Sequence, residues 1–281
     1  MPGPLQHIQG LIKAVGVVSA FRGVPCSRVN QQPRADGVLP MFAIAKRAAW
    51  RFAPELTYHA KEWLLACGQK ERSPSEVFSE IYRNNSWGGD TGEFYSGPGS
   101  DRGAANSFVD WVNSFIAEHN IESVVDLGCG DFRVGSRLSH DIQYVGVDVV
   151  PGLIAHNNAK FGSERVRFEL SDIIRDELPE GELCILRQVF QHLSNRQIEA
   201  ILPKLNKYAY SIVAEHHPSR QKMRRPNIDK TLGVNTRIHC GSGIFLDEPP
   251  FSLPNATLQK RLPIPEEVQA GETLAVYIIT H

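Results

Sequence analysis

Residues 121–217 alternate short apolar segments, rich in β-branched residues, with segments of helical periodicity. The apolar segments are SVVDLG, YVGVDVV, VRFELSD, ELCILRQVF and YSIVAEHH. Such alternation predicts a parallel sheet that is covered by helices. Helices are expected near 134–140, 153–161 and 195–205, with an amphipathic helix over 104–120 before the first strand and a last strand at 273–280.

The composition limits the classes of protein that fit. The 281 residues suffice for one large α/β domain, and the net charge of −1 argues against a nucleic-acid-binding protein, which is usually basic. The five cysteines form no CxxC pair, so neither a zinc site nor a disulfide framework is indicated. Scattered thiols fit a reducing compartment, and the apolar runs are shorter than the ~20 residues of a membrane span, so we expect a cytoplasmic protein.

The N-terminal quarter differs from the rest of the chain. Residues 1–40 are irregular and predict an extension that is either part of the protein or dispensable. Residues 41–74 predict a basic amphipathic helical segment, which either contacts an anionic membrane or a partner, or packs on the domain. A short helix capped by Ser73 or Ser75 then opens the globular domain, which we place at 75–281.

The stretch VVDLGCGDFRVG, at 124–135, joins the first strand to a glycine-rich turn. Asp126 comes at the carboxyl end of the strand, and Gly128 and Gly130 let the backbone approach a ligand closely. Ligands of parallel α/β sheets bind at this edge, beside the beginning of a helix. The turn therefore predicts a ligand site.

The acidic residues near this turn narrow the choice of ligand. A dinucleotide-binding fingerprint would place its third glycine at position 133, where Arg133 stands. A buried carboxylate at Asp126 suits an ammonium group, and Asp148, at the end of the second strand, suits a ribose diol. Asp172 follows the third strand, where a carboxylate can meet an adenine amino group, although Asp148 or Asp172 could instead cap a helix. Ammonium, ribose and adenine together describe S-adenosylmethionine.

The motif DLGCGD, followed by Asp148 and Asp172, resembles the class I S-adenosylmethionine-dependent methyltransferases over about residues 95–215. The resemblance implies a Rossmann-like α/β fold with a mostly parallel seven-stranded sheet and helices on both faces. It implies S-adenosylmethionine as cofactor and S-adenosylhomocysteine as product. The cofactor-binding positions that it implies are Asp126, Gly128, Cys129 and Gly130 around the methionine part, Asp148 and Val149 at the ribose, and Asp172 and Ile173 along the adenine.

The segment EFYSGPGS, at 93–100, resembles one that precedes the domain in some bacterial methyltransferases of sugars and other small molecules. By that resemblance, Tyr95, Ser96 and Ser100 reach the carboxylate of the cofactor. The segment could equally be a glycine-rich connection without a role in binding.

In the methyltransferase family, the segment after the fourth strand faces the acceptor. Here that segment is ILRQVFQHLSN, at 185–195, and His192 is the first candidate for a base that takes a hydroxyl proton, provided that its pKa is near neutral. Gln188 or Arg187 could orient the acceptor or the cofactor. His192 could instead pack or cap the following helix.

The fifth strand ends in Glu215 and His216, which are the second and third catalytic candidates. A glutamate beside a histidine could bind a divalent metal that activates a diol, as in some sugar and catechol methyltransferases. Gln188 and Gln191 stand where metal-dependent members usually bring acids, so we expect no metal and expect Glu215 and His216 to line the acceptor pocket. A later proline-rich loop, at 237–254, could add a wall to that pocket.

The sequence therefore predicts a methyltransferase that acts on a small molecule, with a hydroxyl of a sugar or glycan precursor as the favoured acceptor. Methylation of a protein or an RNA is the alternative reaction. A further alternative is a non-catalytic cofactor-binding module that regulates a partner.

Overall fold

The computed structural model describes residues 72–90, 92–139, 141–264 and 271–281. The extension at 1–40 and almost all of the basic segment at 41–74 lie outside these residues, so both remain predictions. None of the helices in the described ranges combines the length and hydropathy needed to cross a membrane.

The described residues form one seven-stranded sheet in the order β3-β2-β1-β4-β5-β7-β6. Strands β1 to β5 pair in parallel, and β7 runs antiparallel to both β5 and β6. The mostly parallel Rossmann-like sheet predicted from the sequence is confirmed. The strands are β1 Ser123–Leu127, β2 Gln143–Asp148, β3 Val166–Leu170, β4 Leu183–Arg187, β5 Tyr210–His217, β6 Ala256–Pro263 and β7 Thr273–Thr280.

Four α-helices accompany the sheet in the described ranges: α1 Pro74–Arg83, α2 Arg102–His119, α3 Pro151–Phe161 and α4 Asn195–Ile201. Helix α1 begins with a capping box, in which Ser73 Oγ accepts from the backbone N–H of Glu76 and the Glu76 carboxylate accepts from the N–H of Ser73. This arrangement satisfies two backbone donors that a helix start leaves open. The predicted cap at Ser73 is confirmed.

The core has one layer on each face of the sheet. Along β1, Val125 and Leu127 pack with Ile198 of α4 on one face, whereas Val124 packs with Phe108 of α2 on the other. The alternation follows from the two-residue period of a strand. It makes β1 apolar on both faces, as a central strand must be.

Two elements differ from the sequence prediction. The helix expected near 134–140 is only a 3₁₀ turn, Gly135–Arg137. Gly135 and Ser136 favour helix weakly, and a side chain at Gly135 would collide with the Tyr144 hydroxyl, so the chain turns directly into β2. Strand β6 was not expected, because most of its side chains are exposed or half-exposed and polar; pairing with β7 creates it.

Candidate functional site

A cavity of about 380 Å³ opens at the carboxyl ends of the parallel strands. Its lining runs from the segments after β1, β2 and β3, across the ends of β4 and β5, to the first residues of β7. Helix α1 and the segment at 96–100 cover it from outside. Its position and size are typical of a small-molecule site in an α/β protein.

The turn after β1 has a backbone that only glycine adopts easily. Gly128 and Gly130 have φ angles of 79° and 56°. The backbone N–H groups of Gly128 and Cys129 donate to the Val147 carbonyl at 2.7 and 3.0 Å. A Cβ at Gly128 would lie 2.5 Å from Val189 Cγ2, so the turn is tightly packed as well as left-handed.

Asp126, at the base of this turn, is a buried carboxylate that lines the cavity. Tyr144 donates its hydroxyl hydrogen to Asp126 Oδ2 at 2.7 Å. Burial raises the pKa of Asp126 to about 6, while the Tyr144 hydrogen bond and the Arg187 charge oppose the rise. A bound cation would stabilise the ionised form.

Asp148 joins the ends of β1 and β2. Its Oδ2 accepts from the Gly130 N–H at 3.2 Å, and its Oδ1 accepts from the N–H groups of Val149 and Val150 at 2.7 and 3.1 Å. Burial raises the pKa of Asp148 to about 6, against these hydrogen bonds. The carboxylate thus fixes the loop before α3 and also lines the cavity.

Asp172 and Ile173 line the cavity beyond the end of β3. Asp172 Oδ1 accepts from the Ile174 N–H at 3.0 Å, and the Asp172 N–H donates to Asp176 Oδ2 at 2.7 Å. The carboxylate therefore stabilises its own turn while it faces the cavity, and since this turn leads to β4 and not to a helix, Asp172 caps no helix.

The segment before α2 closes over the glycine turn. Ser96 Oγ accepts from the Asp131 N–H at 2.8 Å, and the Ser96 N–H donates to Asp131 Oδ2 at 2.9 Å. Ser100 lines the cavity and donates its hydroxyl hydrogen to the Gly97 carbonyl at 2.7 Å. Tyr95 instead lies outside the cavity lining and donates to Asp101 Oδ2 at 2.8 Å.

Arg187 and Gln188 mark the end of β4. The Arg187 Nη2 donates to the Gly99 carbonyl at 2.6 Å, whereas its Nε is buried and has no hydrogen-bond partner among the described residues. Burial lowers the pKa of Arg187 to about 10, so the side chain stays charged at neutral pH. Gln188 has a φ of 57°, and its amide occupies the space beside Gly99.

His192 lines the cavity, but both of its ring nitrogens are engaged. Nδ1 lies 3.2 Å from the Gly233 carbonyl, and Nε2 lies 3.3 Å from the Gln191 amide nitrogen. The neutral imidazole matches these partners, with the hydrogen on Nδ1. Burial, together with the nearby charge of Lys230, lowers the pKa of His192 to about 3, so the near-neutral value expected for a base is not found.

Glu215 and His216 are adjacent, yet they have different surroundings. Glu215 is fully buried, lies outside the cavity lining and accepts from the N–H groups of Phe190 and Gln191 at 2.7 and 3.1 Å. Burial raises its pKa to about 8. His216 lines the cavity, because neighbouring residues of a strand point to opposite faces. The expectation that Glu215 lines the acceptor pocket is therefore wrong.

Two features identify the fold. One is the seven-stranded order in which antiparallel β7 lies between β5 and β6, and the other is the glycine turn after β1. The chain has the class I methyltransferase fold. In the described residues, no group of three or more His, Cys, Asp or Glu side chains is placed to hold a metal ion.

No protein-family model and no curated protein sequence matches this chain. Among solved structures, magnesium protoporphyrin IX methyltransferase from Synechocystis, with bound S-adenosylhomocysteine, matches at 13% identity and a TM-score of 0.47, over 73% of this chain and 98% of that one. The N-methyltransferase NodS from Bradyrhizobium japonicum matches at 12% identity and a TM-score of 0.42, over 63% and 98%. A TehB-like S-adenosylmethionine-dependent methyltransferase from Corynebacterium glutamicum matches at 18% identity and a TM-score of 0.42, over 74% and 98%. At these identities the likeness concerns the fold alone.

The class I fold brings most of the predicted site residues together. The predicted residues in the cavity lining are Ser96, Ser100, Asp126, Gly128, Cys129, Gly130, Asp148, Val149, Asp172, Ile173, Gln188, His192 and His216. Tyr95 and Glu215 lie elsewhere. The sequence analysis missed Phe78 and Trp87, which line the cavity from outside the matching segment, and no local motif could have placed them there.

Proposed function

We propose that this protein transfers a methyl group from S-adenosylmethionine to a small molecule. The observation that carries the proposal is the convergence of Asp126, Asp148 and Asp172 on one cavity, around the glycine turn. That cavity continues past β4 to His216 and so leaves room for an acceptor beside the cofactor.

The side chains present fit the cofactor. Within the described residues, Asp126 has one hydrogen bond, from the neutral Tyr144, so its charge is available for the ammonium group. Asp148 is placed to accept from the ribose diol. The buried Arg187 Nε, which has no described hydrogen-bond partner, fits a carboxylate of the cofactor or acceptor. When bound, S-adenosylmethionine supplies a methyl group on a positively charged sulfur.

The favoured acceptor is a hydroxyl of a sugar or glycan precursor. Polar side chains of His216, Thr236 and His239 line the part of the cavity beyond β4. Such groups suit a hydroxylated molecule, which needs hydrogen bonds for orientation and a base for its proton.

Calorimetry with S-adenosylmethionine and S-adenosylhomocysteine tests the cofactor assignment. We expect both to bind the protein, and Asp126→Asn to weaken binding at least about 30-fold, since losing a charged hydrogen bond costs about 2 kcal/mol. Glu164→Gln, an exposed change outside this cavity, is the control and should bind as the unmodified protein does. Absence of binding by either compound, or equal affinity in Asp126→Asn, would contradict the assignment.

An acceptor screen with methyl-labelled cofactor follows. Nucleotide sugars are the expected acceptors, and peptides and RNA are offered in parallel. Label in the peptide or RNA fraction alone would overturn the small-molecule proposal in favour of the alternative reaction.

A further inference from the structure

His216 has an acidic neighbour immediately before the next strand of the sheet. Glu272, the residue before β7, is 3% exposed, and its Oε2 lies 2.8 Å from His216 Nε2. Both atoms are buried, and their geometry falls short of an ideal hydrogen bond. Because no other described group is hydrogen-bonded to either atom, a small rotation of the imidazole would complete the bond between them.

Lys222 holds the other oxygen of this carboxylate. Its Nζ donates to Glu272 Oε1 at 2.9 Å, and the lysine side chain remains 59% exposed. The three side chains therefore form a chain from solvent, through a buried carboxylate, to an imidazole in the cavity lining. In this arrangement Lys222 contacts Glu272, and Glu272 contacts His216.

The contact with Glu272 determines which nitrogen of His216 is available. With Nε2–H directed at the carboxylate, the lone pair of the neutral ring lies on Nδ1. Nδ1 has no hydrogen-bond partner among the described residues and is not fully buried. His192 differs in this respect, since both of its nitrogens are already engaged.

We propose that Glu272 is the positioning residue that orients His216 as the base for the acceptor hydroxyl, and that Lys222 holds Glu272 in place. The inference rests on the proposed methyl transfer. His216 Nδ1 takes the hydroxyl proton while the acceptor oxygen bonds to the methyl carbon, and the bond from that carbon to sulfur breaks and leaves the sulfur uncharged. The imidazolium then gives its proton to solvent.

The charges around His216 make the inference testable without an acceptor. The charged and titratable groups whose charges act on the ring are Glu272, Lys222 and Arg187, together with His217 on the opposite face of β5. Burial lowers the pKa of His216, Glu272 opposes that shift, and Lys222 and Arg187 add to it. Removing the Glu272 charge must therefore lower this pKa further, and removing the Lys222 charge must raise it.

The experiment is a nuclear magnetic resonance titration of histidines labelled with ¹⁵N and ¹³C, in which His216→Gln assigns the His216 signals. The unmodified protein should show neutral His216 with its hydrogen on Nε2. Glu272→Gln should lose that preference and lower the pKa by about 1 or more, the usual effect of an adjacent opposite charge. Lys222→Met should raise the pKa, and Glu164→Gln, an exposed control, should change neither quantity.

If the tautomer and the pKa of His216 are unchanged in Glu272→Gln, the proposed role of Glu272 is contradicted. If Glu272→Gln does not fold, an unchanged pKa in Lys222→Met would overturn it instead. Calorimetry on the same proteins distinguishes the two proposals. Failure to bind S-adenosylmethionine would contradict the proposed methyl transfer, whereas the titration of His216 does not depend on cofactor binding. Once an acceptor is known, Glu272→Gln should lower kcat about 10- to 100-fold with little change in KM.

Discussion

At the scale of single residues, Gly128 in the glycine turn is constrained both by its backbone angle and by the packing around it. Gly128 has a left-handed backbone, and its α-carbon faces Val189 from the loop after β4. The first constraint belongs to the local chain, whereas the second arises only when β1 and β4 pair. The turn is therefore held in shape before any ligand arrives.

Gly128→Ala should lower the free energy of unfolding by about 1–3 kcal/mol, because alanine is strained at this backbone angle and its Cβ would lie 2.5 Å from Val189 Cγ2. Urea unfolding measures the change. Gly103→Ala is the matched control: it lies in α2, a Cβ there meets nothing within 4 Å, and stability should be unchanged or raised by up to about 1 kcal/mol. Equal losses in the two variants would contradict the packing argument.

At the scale of elements, the loop between β4 and α4 depends on two buried ionisable side chains, Glu215 and Arg237. Glu215 accepts from the N–H groups of Phe190 and Gln191, while the guanidinium of Arg237 donates to the carbonyls of Phe190 and Leu193. Both side chains are fully buried, so they satisfy backbone groups that water does not reach. This explains why Glu215 is absent from the cavity lining: it shapes the loop that carries His192.

Arg237→Met should lower the free energy of unfolding by about 3–5 kcal/mol, since it leaves the buried carbonyls of Phe190 and Leu193 without their donor, at a cost of about 1–3 kcal/mol each. Thermal and urea unfolding measure the loss. Arg167→Met is the control, because the exposed Arg167–Glu169 ion pair should be worth no more than about 1 kcal/mol. A loss at Arg237 no larger than that at Arg167 would show that the buried network is not needed.

At the scale of the whole molecule, folding buries His217 in a place that favours its neutral form. His217 Nε2 lies beside the Ile244 carbonyl, and its Nδ1 lies 2.8 Å from the Arg261 guanidinium, so the folded protein needs the neutral ring. Burial is the main cause that lowers its pKa to about 4. The unfolded chain takes up this proton near pH 6.5, whereas the folded chain takes it up only near pH 4. This contribution to stability is therefore present above pH 6.5 and is lost as the pH falls toward 4.

Between pH 6 and pH 4, the unmodified protein should lose about 1 kcal/mol per pH unit more than His217→Gln, in which nothing titrates at this site. Asp126 and Asp148, with pKa values raised to about 6, change stability in the opposite direction over this range. They are common to both proteins, so the difference isolates His217. Urea unfolding at several pH values measures it, and His156→Gln, at an exposed position, is the control. Parallel pH profiles for the unmodified protein and His217→Gln would contradict the prediction.

Local sequence patterns were enough to predict the parallel sheet and the acids after β1, β2 and β3 that line the cavity. Strand periodicity, the glycine turn and the acids after β1, β2 and β3 are local features, and parallel pairing brings the ends of successive strands to one edge. The surroundings of Glu215 and His216 follow from tertiary contacts alone. Glu215 and His216 are neighbours in the chain but lie on opposite faces of β5, and Glu272 meets His216 only because β7 pairs with β5. Contacts between residues more than 50 positions apart depend on strand register and burial, which no local pattern of residues specifies.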